Sequence, residues 1–168
     1  MFERADGMYY YSKDGNKIFD ATGGLWCSNA GHNHPIITKA IQEQTAKMDY
    51  APSFQLGHEL PFQYAQRLVD EITPEGLDKV FFTMCGSTAV DSALKIALAY
   101  HKAEGNPDRT VFIGRHRGYH GVGFGGISVG GMPPNRIPYY GSLLPNVDHL
   151  PATHDLEHQA FSKGVRLH

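Results

Sequence analysis

Along the chain, short apolar clusters alternate with glycine- and proline-rich stretches, and longer segments repeat apolar residues at helical spacing. Tyr9-Tyr10-Tyr11 and Lys17-Ile18-Phe19 flank Ser12-Lys13-Asp14-Gly15-Asn16, which predicts a β-hairpin turning on Asp-Gly. Ala21 to Trp26 is expected to be an irregular glycine-rich loop. From Pro35, the positions Ile36, Ile37, Ala40 and Ile41 recur at helical spacing, with proline suited to the first turn. A second amphipathic helix is expected from Glu59 to Ile72, with Leu60, Tyr64, Leu68, Val69 and Ile72 on one face; Thr73-Pro74-Glu75-Gly76 stops it.

A strand at Val80-Phe81-Phe82-Thr83 then leads through Cys85-Gly86-Ser87-Thr88 into an alanine-rich helix beginning near Ala89. After the break at Asn106-Pro107-Asp108 comes a strand at Thr110 to Ile113. Gly114 to Gly141 reads as a long ordered loop, a segment type that is usually functional in a compact domain. Leu144 to Leu150 supplies a third strand, and His154 to Ser162 a short helix capped by Thr153. Strand and helix in alternation predict an α/β fold with a mainly parallel sheet.

Composition narrows the partners. The chain has 168 residues, 41% of them hydrophobic, enough for one domain-sized core. A formal net charge of -2 gives no field to hold nucleic acid or an anionic membrane surface. Cys27 and Cys85 are the only cysteines and form no CxxC pair, so reduced thiols in a cytoplasmic setting are expected. No apolar run reaches the length of a membrane span, and Met1-Phe2-Glu3-Arg4 lacks the regions of a signal peptide.

The turn at Gly86-Ser87-Thr88 can cup a phosphate. A strand-to-helix turn leaves the first helical N–H groups without intrahelical acceptors and adds two hydroxyls, although the same residues can simply cap the helix. No Gly-Lys-Ser/Thr follows, which argues against a nucleoside triphosphate. Arg117-Gly118-Tyr119-His120-Gly121 sets a phenol ring and an imidazole between glycines, where both can approach a flat ligand or remain a solvated basic loop.

Two motifs match only formally. Gly121-Val122-Gly123-Phe124-Gly125-Gly126 has the G-x-G-x-x-G spacing, but no strand directly before it and no helix opening within it are expected, so a dinucleotide site is discounted. His154-Asp155-Leu156-Glu157-His158 matches the H-x-x-E-H zinc pattern without an evident third ligand and reads better as a solvated helix; no metal is expected. Trp26 and Phe54 are loop aromatics that can be satellite core or line a pocket.

In this order the segments resemble the class III (ω-) aminotransferases, most closely the β-alanine:pyruvate and ω-amino acid:pyruvate group. The resemblance spans nearly the whole chain. It rests on Asp14-Gly15-Asn16-Lys17-Ile18-Phe19-Asp20, Gly24-Leu25-Trp26-Cys27, Gly31-His32-Asn33-His34-Pro35, Phe81-Phe82-Thr83 with Gly86-Ser87, Ala89-Val90-Asp91-Ser92-Ala93-Leu94-Lys95, and Gly118-Tyr119-His120-Gly121. It implies the N-terminal part of fold type I, with residues 1–50 in a small-domain segment and 51–168 opening the large cofactor-binding domain. It also implies pyridoxal 5′-phosphate as cofactor and a homodimer. Gly86 and Ser87 would hold the cofactor phosphate, Tyr119 would stack on its ring with His120 beside it, Trp26 would line the substrate pocket, and Phe54 would reach the partner subunit's pocket.

Two departures accompany the resemblance. Met84-Cys85-Gly86-Ser87-Thr88 stands where the family usually has Asn-Ser-Gly-Ser-Glu. Family members also run to more than twice this length, start with an N-terminal helix, and carry the Schiff-base lysine and its partner aspartate in a later part; no lysine here has the matching context. The chain alone is therefore expected to be inactive. In the fold type I strand order Val80 to Thr83 would lack a neighbour, so unpaired edges are expected to make the isolated chain unstable or aggregation-prone. A non-catalytic phosphate-binding or dimerisation module, and a metal-dependent hydrolase centred on His154, Glu157 and His158, are the alternatives.

Overall fold

The computed structural model describes residues 1–136 and 141–157. The chain divides into two compact units, Met1–Asp78 and Lys79–His168. In the first, β1 (Phe2–Asp6), β2 (Tyr9–Ser12) and β3 (Lys17–Phe19) form an antiparallel meander. The predicted hairpin is β2–β3, in register Tyr9↔Phe19, Tyr10↔Ile18 and Tyr11↔Lys17. Its turn is closed by Ser12, whose Oγ accepts the Asn16 N–H at 3.2 Å, and by Gly15 at φ 78°. β1 was not anticipated, because Phe2-Glu3-Arg4-Ala5-Asp6 has no clear apolar face. Cross-strand contacts supply what the pattern lacks: Phe2 stacks on Tyr10 at 4.6 Å, and the Arg4 guanidinium lies over Tyr11 at 3.5 Å.

Ala21 to Trp26 is more regular than an irregular loop. Gly23–Trp26 forms a single helical turn, α1, in which all four residues have positive φ, from 58° to 70°. The helices α2 (Pro35–Lys47) and α3 (Glu59–Glu71) follow as predicted, α2 starting on its proline. On the exposed surface of α3, Arg67 grips Glu71 one turn later through two hydrogen bonds of 3.0 Å.

In the second unit α4 spans Gly86–Ala103, β4 Phe112–Arg115, α5 Phe124–Val129, a 3-10 turn Pro133–Arg136, and β5 Val147–Leu150. β4 and β5 pair in parallel, Phe112 opposite Val147 and Arg115 opposite Leu150, giving the expected parallel arrangement. Three expectations are corrected. Gly114 to Gly141 is not uniformly irregular, because α5 and the 3-10 turn lie within it. Val80 to Thr83 is not a strand among the described residues, because a strand needs a partner to pair with; the lack of a neighbour is what the fold type I strand order implied. Residues 154–157 form a bridge and a turn rather than the start of a helix; the rest of that expected helix, with His158, lies outside the described residues.

Among the described residues Val129 is the only large hydrophobic side chain that is buried. Phe62, Ile72, Phe81, Ile113 and many others are exposed. Amphipathic helices of this kind owe their stability to burying an apolar face, and most of these faces are open here.

Candidate functional site

The N-terminus of α4 follows from its sequence. Cys85 is extended (φ −162°, ψ 165°), so the chain enters the helix abruptly and no side chain caps it. Ala89 is the first residue whose N–H bonds back, to the Cys85 carbonyl at 3.0 Å. The N–H groups of Gly86, Ser87 and Thr88 therefore have no intrahelical acceptor, at the positive end of an 18-residue helix. A Cβ added at Gly86 would meet nothing within 4 Å, so open space lies in front of the turn.

The Cys85 sulfur sits 3.3 Å from the Thr88 hydroxyl. That hydroxyl and the N–H groups of Thr88 and Ser87 pull the exposed thiol below its ordinary pKa, against an opposing effect of burial. Serine at this position would be a stronger acceptor for the same donors; sulfur leaves them readily available to an incoming anion.

Ser87 also fastens the loop that carries the aromatic pair. Its Oγ accepts the Val122 N–H at 3.1 Å, leaving its own proton free to donate. Gly121, at φ 98°, passes so close that an added Cβ would lie 2.6 Å from Ser87 Oγ. One turn along α4, Asp91 Oδ1 accepts the Gly126 N–H at 2.9 Å and caps α5, which has no side-chain cap of its own.

These contacts explain the formal G-x-G-x-x-G match and correct part of its reading. A helix does open within it, at Phe124, while β4 ends at Arg115 with residues 116–120 between. Its glycines accommodate close neighbours: a Cβ at Gly123 or Gly125 would strike the Asp91 carboxylate, and one at Gly126 the His120 carbonyl. They let this segment lie against α4. Asp91 was missed in the sequence; its position four residues after Ser87, on the same helix face, was the available signal.

Within this unit Ser87 touches Gly121 and Val122, the residues that directly follow Tyr119 and His120 in the chain. Tyr119 is 59% exposed. His120 stands beside Gly118, at 3.1 Å from where a Cβ there would be. A phosphate joined to a flat ring fits these residues: donors and a free hydroxyl for the anion, an exposed tyrosine for the ring.

Trp26 and Phe54 belong to the first unit and are 86% and 79% exposed. Behind Trp26, Asp20 organises the glycine turn. Its Oδ2 accepts the Gly24 N–H at 2.7 Å and pairs with His32 Nε2 at 2.8 Å; its Oδ1 accepts the Thr22 N–H at 3.2 Å and the Thr22 hydroxyl at 3.0 Å. Burial pushes this carboxyl upward, but the bonds from His32, Thr22 and Gly24 outweigh it and hold the pKa at about 2. The Tyr10 hydroxyl beside it is raised by burial and then by the Asp20 charge.

Among the described residues no group of three or more His, Cys, Asp or Glu side chains could hold a metal ion, and no helix is long and apolar enough to cross a membrane.

The class-III aminotransferase family model matches residues 1–165. An omega-aminotransferase of Caulobacter vibrioides is 60% identical over 164 residues, covering 98% of this chain and 37% of that protein. An omega-amino acid–pyruvate aminotransferase of Pseudomonas putida is 42% identical over 161 residues, covering 96% and 35%. The chain thus spans about a third of the length of the curated relatives it matches. An amine transaminase from an uncultivated Pseudomonas species, solved in its PLP-bound form, superposes with a TM-score of 0.85 at 38% identity, covering 90% of this chain and 34% of that one. Sequence and fold agree with the N-terminal part of these enzymes, and the chain belongs to the class-III aminotransferase family.

Proposed function

We propose that this chain is the cofactor-phosphate and ring-binding portion of a transaminase that moves an amino group from an ω-amino acid or related amine, β-alanine-like, to pyruvate or another oxo acid. The observation that carries the reading is the hydrogen bond from Val122 N–H to Ser87 Oγ, which ties the phosphate end of α4 to the loop bearing Tyr119 and His120. Pyridoxal 5′-phosphate, when bound, supplies the electron sink for amine chemistry. Gly86 and Ser87 grip its phosphate with backbone N–H groups and the free Ser87 proton. Tyr119 orients the ring by stacking, and His120 flanks it.

Trp26 forms an apolar wall of the amine pocket and excludes water from it, while Phe54 serves the pocket of a partner subunit in a homodimer. The domain division at residue 50 and a cytoplasmic setting belong to the same reading. The lysine that holds and releases the substrate proton is not among residues 1–168, so this chain alone grips cofactor without turning over amine.

Equilibrium binding of pyridoxal 5′-phosphate and of pyridoxal tests the reading. The phosphate ester is expected to bind at least about tenfold tighter, one helix-terminus anion contact being worth about 1 kcal/mol and each charge-assisted hydrogen bond more. Equal affinity for the two overturns the phosphate assignment. Turnover of β-alanine with pyruvate by residues 1–168 alone overturns the division of labour.

A further inference from the structure

The turn Gly23–Trp26 is strained. Left-handed backbone is unfavourable for a non-glycine residue, and here Leu25 (φ 58°) and Trp26 (φ 70°) both adopt it directly after two glycines that do so freely. Backbone of this kind persists only where its surroundings over-determine it. Its internal bonds, Trp26 N–H to Thr22 C=O at 3.1 Å and Cys27 N–H to Gly23 C=O at 3.0 Å, would be matched by a right-handed turn and do not select the hand.

What selects it is Asp20. Its side chain, 4% exposed, accepts three donors from the start of the turn, the Thr22 N–H and hydroxyl and the Gly24 N–H, and pairs with His32 beyond its end. His32 is itself fixed: its backbone exchanges hydrogen bonds with Gly7 at 2.7 and 3.0 Å, and its ring lies against Tyr10 at 4.4 Å. The carboxylate thus ties both ends of the segment to the β-meander. Beside it lies a cleft of about 210 Å³ lined by Phe19, Asp20, Gly23 and His32, so the turn has room to relax once released. Because the Trp26 side chain is 86% exposed, little else in this unit presses on it, and its direction is set by its backbone.

We propose that Asp20 is a positioning residue for the amine pocket: without touching substrate, it holds the left-handed turn that presents Trp26. This deepens the proposed function and rests on the assignment of Trp26 to the substrate wall. Asp20 acts on the turn whether or not that assignment holds.

Trp26 is the only tryptophan, so fluorescence of the 168-residue chain reports on it alone. In Asp20→Ala, Trp26 anisotropy is expected to fall, and the Gly24 amide to exchange about ten- to hundredfold faster, the factor for one charge-assisted hydrogen bond. Asp20→Asn, which keeps an acceptor for Thr22 but turns a donor toward Gly24 and His32, gives the same local loss if the alanine variant fails to fold. In a Leu25→Gly background the turn carries less strain for Asp20 to oppose, so Asp20→Ala is expected to accelerate Gly24 exchange less there than in the wild type, which a role for Asp20 unrelated to the hand of the turn would not give. Unchanged anisotropy and Gly24 exchange in both single variants overturn the clamp. If the clamp responds as expected but β-alanine with pyridoxal 5′-phosphate leaves wild-type Trp26 emission unchanged, the pocket assignment fails instead, and the positioning role fails with it.

Discussion

Ser87 Oγ accepts the Val122 N–H at 3.1 Å, joining the first turn of α4 to the loop that follows Tyr119 and His120. Ser87→Ala removes both this acceptor and the proposed donor to phosphate. Affinity for pyridoxal 5′-phosphate is expected to fall by about tenfold or more, while affinity for pyridoxal changes less. Titration of both ligands against both proteins checks the difference.

Asp91→Ala strips α5 of the only side-chain cap seen on it. Loss of a cap costs about 1 kcal/mol, so amides of Gly126 and Ile127 are expected to exchange severalfold faster. Asp91→Asn keeps an acceptor and is expected to retain most of the protection. Equal exchange in wild type and Asp91→Ala would show that the bond does not hold α5.

Gly121 combines φ 98° with a neighbour, Ser87, that an added Cβ would strike. Gly121→Ala is expected to destabilise by more than about 1 kcal/mol and to weaken cofactor binding as well, because the loop must lift from α4. Gly105, also at positive φ but in open space, serves as the control: Gly105→Ala keeps backbone strain without a clash.

How much of this was legible follows from where the information lies. The β2–β3 hairpin, α2, α3 and α4 were readable because turn chemistry and helical periodicity are local. Gly86, Ser87, Tyr119 and His120 could be singled out for the same reason. β1 was not readable, since its polar residues are justified only by Tyr10 and Tyr11 across the strand. The left-handed turn was invisible because Leu25 and Trp26 disfavour it, and it is Asp20, outside the turn, that enforces it. The strand expected at Val80 to Thr83 has the right residues but no ladder among the described residues, a property of neighbours rather than of the segment.

Acid is expected to loosen the glycine turn late. Asp20 titrates at about 2 in the folded protein, below the ordinary carboxyl value of 3.8. The folded state therefore binds fewer protons than the unfolded state between those values, and stability rises with pH there. The contribution is complete above the unfolded value and is lost as pH falls through about 2. Trp26 fluorescence in an acid titration follows this, and Asp20→Asn should abolish the transition; an identical titration in that variant would assign it to other carboxylates.

Cys85 and Cys27 are both exposed, and the Thr88 hydroxyl with the N–H groups of Thr88 and Ser87 favours the Cys85 thiolate. At neutral pH iodoacetamide is expected to modify Cys85 faster, and pyridoxal 5′-phosphate or inorganic phosphate to slow it by occupying the same N–H groups. Mass spectrometry of partly alkylated protein distinguishes the sites. Equal rates at both cysteines, or no protection, would separate the thiol from the anion cup.

The four-residue spacing of Ser87 and Asp91 makes α4 a ruler for the cofactor loop. Two anchor points one helical turn apart fix the height of the loop along the helix and also the side on which it lies. A single residue inserted between them would swing Asp91 by about 100° around the helix axis and leave Ser87 as a lone hinge. Point substitutions in this turn can be graded, but changes of length cannot: the register between the phosphate grip and the ring is counted in whole turns.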